Sequence, residues 1–276
     1  MEKMIDWSAL WEELVAVKAR SREKLRGKRA DSWCRKASEF KESVKRRWET
    51  PDSSRDFILS KMTPDSTVLD IGAGTGAWAA LLAPYVKRVT AVEPSPSMIE
   101  VMEESLREEG VRNVEIIQGS WPDISVASHD FSLCSHAMYG YPDLRAFIDK
   151  MVACTKDTCF LLLRSPALDG LRSEAARAIW GQPMDSPNFT IAYNVLLQMD
   201  ICANVLMENT GFWKPRTSAS LEEAFKSMKK YLDLDGIDAH DDYLRQLLKR
   251  RLTYRDGVYV WPRDVRTALV YWSVRK

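Results

Sequence analysis

The sequence predicts an α/β fold: a doubly wound, mostly parallel sheet with helices on both faces. Three observations carry this expectation. Short apolar runs alternate with amphipathic helical stretches. Several runs are apolar at almost every position, as strands covered on both faces require. The first run, Val68 to Ile71, enters a turn with glycine at positions 72, 74 and 76.

Residues 1–60 have helical periodicity, with Trp7, Leu10, Trp11, Leu14 and Val17 on one stripe. A basic stretch from Lys18 to Arg47 follows and carries Trp33, Phe40 and Trp48. Interleaved bases and aromatics can track a phosphate backbone, but Glu23, Asp31, Glu39 and Glu42 interrupt this one and favour a solvated helix face. Val68–Ile71 is the first expected strand, a helix begins near Gly76, and Val89–Glu93 is the second strand. Ser95 caps the next helix with Pro96 at its first position. Met98, Ile99, Val101, Met102 and Leu106 form its apolar face, and Gly110 stops it.

Val114–Ile117 and Asp130–Ser135 are the third and fourth strands. Pro142–Cys154 is a helix with Leu144, Phe147, Ile148 and Met151 inward, and Thr158–Leu163 is a fully apolar fifth strand. The stretch from Pro166 to about Leu252 is far longer than an ordinary connection, which marks it as functional. It holds Trp180 to Pro183, Ala192 to Leu197, an apolar run from Ile201 to Met207 expected as the sixth strand, and a polar loop with Phe212 and Trp213. Two amphipathic helices follow, one capped by Ser220 with Glu223 three residues on, the other over Asp241–Leu252. Val258–Trp261 and Ala268–Trp272 are expected strands, the last a reversed edge. The expected organisation is an N-terminal helical segment (1–60), a ligand-binding core (61–165), and an insertion with the last strands (166–276).

Hydrophobic residues make up 45% of the 276 positions, enough for a sizeable core, and the net charge of +1 gives no global case for nucleic acid or membrane binding. No run approaches the roughly 20 apolar residues of a membrane-spanning helix. Met1 to Met4 lead into a mixed polar and aromatic segment without a signal-peptide core, so a cytoplasmic address is expected. Cys34, Cys134, Cys154, Cys159 and Cys202 form no Cys-x-x-Cys pair, and only His129, His136 and His240 accompany them, which argues against a metal or a disulfide framework.

The glycine turn lets backbone approach a ligand closely, and the helix after it aims unpaired N–H groups at the same place. Gly72, Gly74 and Ala77 also satisfy the dinucleotide fingerprint. Asp70 decides between ligands: a carboxylate two residues before the first glycine repels a pyrophosphate but suits an ammonium and a sulfonium. Glu93, at the end of the second strand, is placed to accept hydrogen bonds from ribose hydroxyls of either ligand.

With VLDIGAGTG as one motif and AVEPSPSMI as the next, residues 66–164 resemble the core of class I S-adenosylmethionine-dependent methyltransferases, in the small-molecule group. The resemblance implies a Rossmann-like, seven-stranded, mostly parallel sheet with a reversed last strand. It assigns Asp70 and the loop Gly72, Ala73, Gly74 and Gly76 to the methionine portion, and Glu93 with Pro94 to the ribose side. Many relatives carry an acid directly after Gly119 for the adenine amino group. Here Ser120 stands in its place, and the contact falls to Ser120, to Trp121 stacking on the base, or to Asp123 reaching back.

Ser135 ends the fourth strand on the cofactor side. The residues after it lie, in the family, beside the transferred methyl: His136 is a candidate general base, with Tyr139 and Tyr141 as walls of the acceptor pocket. Trp33, Trp180, Tyr193 and Asn194 are further candidates for acceptor contacts, in a lid formed by residues 1–60 and part of the insertion. The expected activity is methyl transfer from S-adenosylmethionine to a small molecule, releasing S-adenosylhomocysteine, by a monomer or homodimer. The alternatives are an RNA methyltransferase using the basic N-terminal segment and a non-catalytic S-adenosylmethionine-binding protein. The absence of an Asn-Pro-Pro-Tyr-type motif after the fourth strand speaks against base-amino chemistry.

Overall fold

A computed structural model describes residues 5–26, 33, 36–167, 169–208, 216–262 and 265–274. Cys34, Phe212 and Trp213 lie outside the described residues. The chain opens with α1 (Trp7–Arg26), α2 (Ala37–Trp48) and α3 (Ser53–Leu59). Alternation then sets in: β1 (Thr67–Ile71), α4 (Ala77–Leu82), β2 (Arg88–Glu93), α5 (Pro96–Glu108), β3 (Val114–Gln118), β4 (His129–Ser135), α6 (Leu144–Ala153) and β5 (Thr155–Pro166). The insertion supplies α7 (Leu171–Trp180), α8 (Phe189–Gln198), β6 (Asn204–Met207), β7 (Thr217–Ser218), α9 (Leu221–Tyr231) and α10 (Asp241–Arg251). The chain closes with β8 (Thr253–Arg255), β9 (Val258–Val260) and β10 (Val265–Ser273).

Local signals in the sequence set most of these limits. The Ser95 side chain accepts from the Met98 N–H and starts α5 with Pro96 in its first turn. The Asp143 carboxylate accepts from the Ala146 N–H, so α6 begins at Leu144 rather than at Pro142. Ser220 caps α9, and the Glu223 carboxylate returns to the Ala219 N–H.

The main sheet has seven strands in the order β3-β2-β1-β4-β5-β10-β6. β1 to β5 run parallel, and β10 is antiparallel to both of its neighbours. The reversed last strand is therefore internal, which corrects its expected place at the edge. It pairs with β5 from Val265↔Pro166 to Ser273↔Thr158, and Ala268, Leu269 and Val270 are fully buried between covering layers. The edge belongs to β6, whose Asn204 and Val205 are exposed. Val258–Val260 also departs from expectation: it joins a separate three-stranded sheet, β7-β9-β8.

One face of the main sheet packs Leu69, Ile71, Leu161 and Leu163 against α1, α6 and α8, and the other packs Val68, Leu133, Phe160 and Leu162 against α4 and α5. The insertion has a core of its own, in which Leu171, Phe225, Met228, Leu244 and Leu248 of α7, α9 and α10 meet Trp261. Trp11 and Leu14 are fully buried, and the Trp11 indole donates to the Tyr141 carbonyl at 2.9 Å, which docks α1 against the loop after β4. Among the described residues no helix is long and apolar enough to cross a membrane, and no group of three or more His, Cys, Asp or Glu gathers as a metal site.

Candidate functional site

The site lies at the C-terminal ends of β1, β2, β3 and β4, where open α/β sheets bind ligands. β1 runs into a turn in which Gly72, Gly74 and Gly76 take φ of +72°, +59° and +80°. The Gly72 and Ala73 N–H groups donate to the Val92 carbonyl at 2.8 and 3.0 Å and tie the turn to β2. Glycine at 72 is demanded twice: by its left-handed backbone, and because a Cβ there would lie 2.2 Å from the Ala137 Cβ. At Gly74 the space is open, with the Phe40 ring of α2 the nearest group at 3.8 Å.

Glu93 organises the turn from beneath. One carboxylate oxygen accepts from the Gly74 N–H and the other from the Ser95 N–H, both at 2.9 Å. Its own carbonyl accepts from the Gly119 N–H at 3.1 Å. The buried carboxylate thus joins the loops after β1 and β2, and the main chain of the same residue holds the loop after β3. Glu93→Gln keeps the shape but turns an NH₂ toward one of these N–H donors, and is expected to destabilise the fold by about 1–3 kcal/mol in denaturant titration. Equal stability of the variant and the parent would remove Glu93 from this role.

Asp70 lies beside it, 1% exposed, and its Oδ2 has no hydrogen-bond partner. Burial, and secondarily the Glu93 charge, raises its carboxyl to about 7. An acid kept out of water without a donor is costly, and the cost is removed by a cation. The neighbouring Cys134 thiol is fully buried, its acidity suppressed mainly by burial, and it acts as a core side chain.

Around the rim, Pro94 and Ser120 are exposed and Ser135 is half-buried. The Asp123 N–H donates to the Ser120 carbonyl and closes a turn there. Trp121 points inward: its indole is 7% exposed, donates to the Phe147 carbonyl at 3.2 Å, and lies under the Lys150 ammonium at 5.5 Å. His136 is exposed with φ +57°, its N–H donating to the Leu162 carbonyl. Its Nδ1 lies 3.0 Å from the Tyr139 hydroxyl, and the two rings stack at 6.0 Å. Burial holds the Tyr139 phenol neutral, and its oxygen accepts the Arg164 N–H, so its proton is available to Nδ1. Tyr141 is half-buried against Phe147, with ring centroids 5.9 Å apart.

The structure thus brings together Asp70, the Gly72–Gly76 loop, Glu93, Ser135, His136 and Tyr139. It does not bring Tyr193, Asn194 or Trp180 among them. The Tyr193 hydroxyl donates to the Ala203 carbonyl and its ring packs on Phe189; Asn194 donates to the Thr190 carbonyl in its own helix; Trp180 packs against the core of the insertion. Trp33 meets Phe40 edge-on at 5.2 Å, on the glycine-turn side. Sequence reasoning passed over Ala137, which faces Gly72, and Arg164, whose position as a charge at the end of an otherwise apolar run was the available signal.

Residues 68–158 match a family described as a methyltransferase domain. An uncharacterized methyltransferase of Bacillus subtilis, YcgJ, is 33% identical over 110 residues, 37% of this chain and 44% of that protein. A probable ribosomal RNA small subunit methyltransferase A of Methanosarcina acetivorans is 37% identical over 65 residues, 24% of this chain and 23% of that protein. The chain thus spans less than half the length of these curated relatives. The crystal structure of the Bacillus subtilis YcgJ protein superposes with a TM-score of 0.53 at 16% identity, over 81% of this chain and 98% of that one, a likeness of fold.

Proposed function

We propose that this chain, whose residues 68–158 match a methyltransferase-domain family, transfers a methyl group from S-adenosylmethionine to a small-molecule acceptor and releases S-adenosylhomocysteine. The observation that carries the reading is the buried, unpartnered Asp70 carboxylate beside the glycine turn. When bound, the donor supplies a methyl group on a positively charged sulfur, open to displacement by a nucleophile.

Asp70 then receives the donor's ammonium, an ion-pair partner that the described residues do not provide. The open face of Gly74 admits the ligand against backbone, and Glu93, fixed by two N–H groups, turns toward the ribose. Ser120 takes the adenine side, with Trp121 supporting that loop from below rather than stacking on the base. His136 and Tyr139 line the acceptor side, with His136 as the candidate general base. The helices α1 and α2 flank the rim, α1 on the Tyr139 side and α2 with Phe40 at the glycine turn, and together they serve as a lid that keeps water out.

The test is calorimetry with S-adenosylmethionine, S-adenosylhomocysteine, NAD and FAD at pH 6 and pH 8. Asp70 titrates near 7 in the free protein and must lose its proton to meet a cation, so affinity for the donor is expected to rise about tenfold from pH 6 to pH 8. Tight uptake of either dinucleotide, with none of the donor or its product, overturns the reading.

An RNA acceptor is the second reading, favoured by the Methanosarcina relative and by a groove lined by Lys87, Arg88 and Arg112, with Glu115 paired to Arg88. That groove sits at the N-terminal ends of the strands, opposite the rim. An RNA acceptor requires binding that falls steeply with salt.

A further inference from the structure

At the ends of β1, β2 and β3 away from the rim lies a groove of about 450 Å³, lined among others by Thr67, Lys87, Arg88, Arg112, Asn113 and Glu115. Short bonds fix its walls. The Lys87 N–H donates to the Ser66 carbonyl at 2.8 Å and the Val89 N–H to the Asn113 carbonyl at 2.9 Å. The Asn113 amide nitrogen donates to the Ala83 and Val86 carbonyls at 2.9 and 3.0 Å, stapling the turn before β2 to the entrance of β3. A groove held this way is preorganised and loses little on binding.

The charges on those walls do not balance, because three bases face one acid. Arg88 Nη1 lies 3.7 Å from Glu115 Oε2, beyond the roughly 2.7–2.9 Å of a charge-assisted hydrogen bond, with the two side chains 45% and 54% exposed. The same Glu115 oxygen accepts the Thr90 hydroxyl at 3.4 Å. The exposed side chains of Lys87 and Arg112 make no ion pair or hydrogen bond among the described residues. The Asp130 carboxylate beside Thr67 is committed elsewhere: it accepts the Thr67 N–H and hydroxyl, both at 2.8 Å, and lies 3.9 Å from Lys156. The surplus is felt inside the sheet. Burial first, and then Arg88 and Lys156, hold the His129 ring below its ordinary range, against the Ala127 carbonyl and Glu115.

Two more cations than acids on fixed walls are answered by a dianion. Phosphates supply one, with several acceptor oxygens that a guanidinium meets two at a time. An RNA chain needs cations in a row along its backbone, whereas these sit on two neighbouring turns with the carboxylates of Glu115 and Asp130 beside them.

We propose that this groove is a second ligand site, separate from the rim, which holds the diphosphate or an equivalent phosphate dianion of a small molecule between Lys87 and Arg112, with Arg88 as a third donor. The site does not depend on the transfer reading: β1 and β2 begin at the groove and end at Asp70 and Glu93.

The experiment is calorimetry of the full-length protein with inorganic pyrophosphate at physiological salt, run with and without S-adenosylhomocysteine. Pyrophosphate carries no adenosine, so it reports the groove rather than the rim. One equivalent is expected to bind, equally well in both runs. Joint substitution Lys87→Gln and Arg112→Gln is expected to weaken that binding by about tenfold or more, with S-adenosylhomocysteine affinity held within about twofold. Glu115→Gln removes the opposing acid and is expected to tighten it by about threefold, a gain that misfolding does not imitate.

No uptake of pyrophosphate, or equal affinity in the parent and both variants, overturns the site. Single-stranded polyuridylate bound by the parent and lost in the double variant, with pyrophosphate ignored by both, also overturns it and makes the groove part of an RNA surface. Each of these outcomes leaves methyl transfer standing, since binding of the donor and its product is read separately.

Discussion

Asp70→Asn is expected to weaken S-adenosylmethionine binding while stabilising the cofactor-free protein, two changes of opposite sign from one substitution. The affinity loss follows from removing one member of a buried charge pair, worth about 2–4 kcal/mol, or roughly 30- to 1000-fold in Kd. The stability gain follows from the raised carboxyl. Asp70 titrates near 7 in the folded chain against an ordinary 3.8, so its contribution is fully present below about pH 4 and is lost as pH rises through 7. Above that the folded state bears the whole penalty of a buried, unpartnered charge, at most about 4 kcal/mol. The amide carries no such penalty. In denaturant titrations at pH 8 the variant is expected to exceed the parent by roughly 1–4 kcal/mol, with the advantage shrinking toward pH 5. A variant less stable than the parent by the same margin at both pH values would show that the charge costs nothing where it lies, and the case for a cation there would fall with it.

Gly72→Ala is expected to damage both fold and site. The left-handed backbone at φ +72° costs an alanine about 1–2 kcal/mol. The added Cβ also lands 2.2 Å from the Ala137 Cβ, where backbone on each side limits retreat. Overpacking of this kind adds about 1–3 kcal/mol. The total, about 2–5 kcal/mol, comes with a displaced loop and weaker binding of S-adenosylhomocysteine. Two controls separate the causes. Gly74→Ala shares the backbone strain but meets only Phe40 at 3.8 Å, so it is expected to lose about 1–2 kcal/mol alone. Ala137→Gly in the Gly72→Ala background removes the opposing methyl and is expected to return the overpacking share, a coupling read directly from a double-mutant cycle. Strict additivity of the two substitutions would mean that the close approach of β1 and β4 loops at this point is not as described.

Much of the fold was legible because its signals are local. The Ser95 cap, Pro96, and the apolar spacing from Met98 to Leu106 define α5 without help from elsewhere. The glycines at 72, 74 and 76 state their own need, since a left-handed backbone is a property of single residues. What went astray depended on distant partners. β10 was expected at an edge, but its apolar run from Ala268 to Trp272 is matched residue for residue by β5, more than a hundred positions earlier. Val258–Val260 has a strand's composition, and nothing within it tells which sheet it joins. Tyr193 and Asn194 looked available for an acceptor because polar groups in an apolar run stand out, yet the Tyr193 hydroxyl donates to the Ala203 carbonyl and the Asn194 amide nitrogen to the Thr190 carbonyl.

By itself, then, the sequence determined the order of strands and helices, the glycine turn and the two acids around it, because caps, periodicity and backbone freedom are encoded within a few neighbouring residues. Only the tertiary structure decided that Asp70 Oδ2 is buried without a donor, that Trp121 supports its loop from within, and that β10 lies inside the sheet. Desolvation and pairing belong to surroundings assembled from remote parts of the chain, and a residue acquires them only when the fold closes around it.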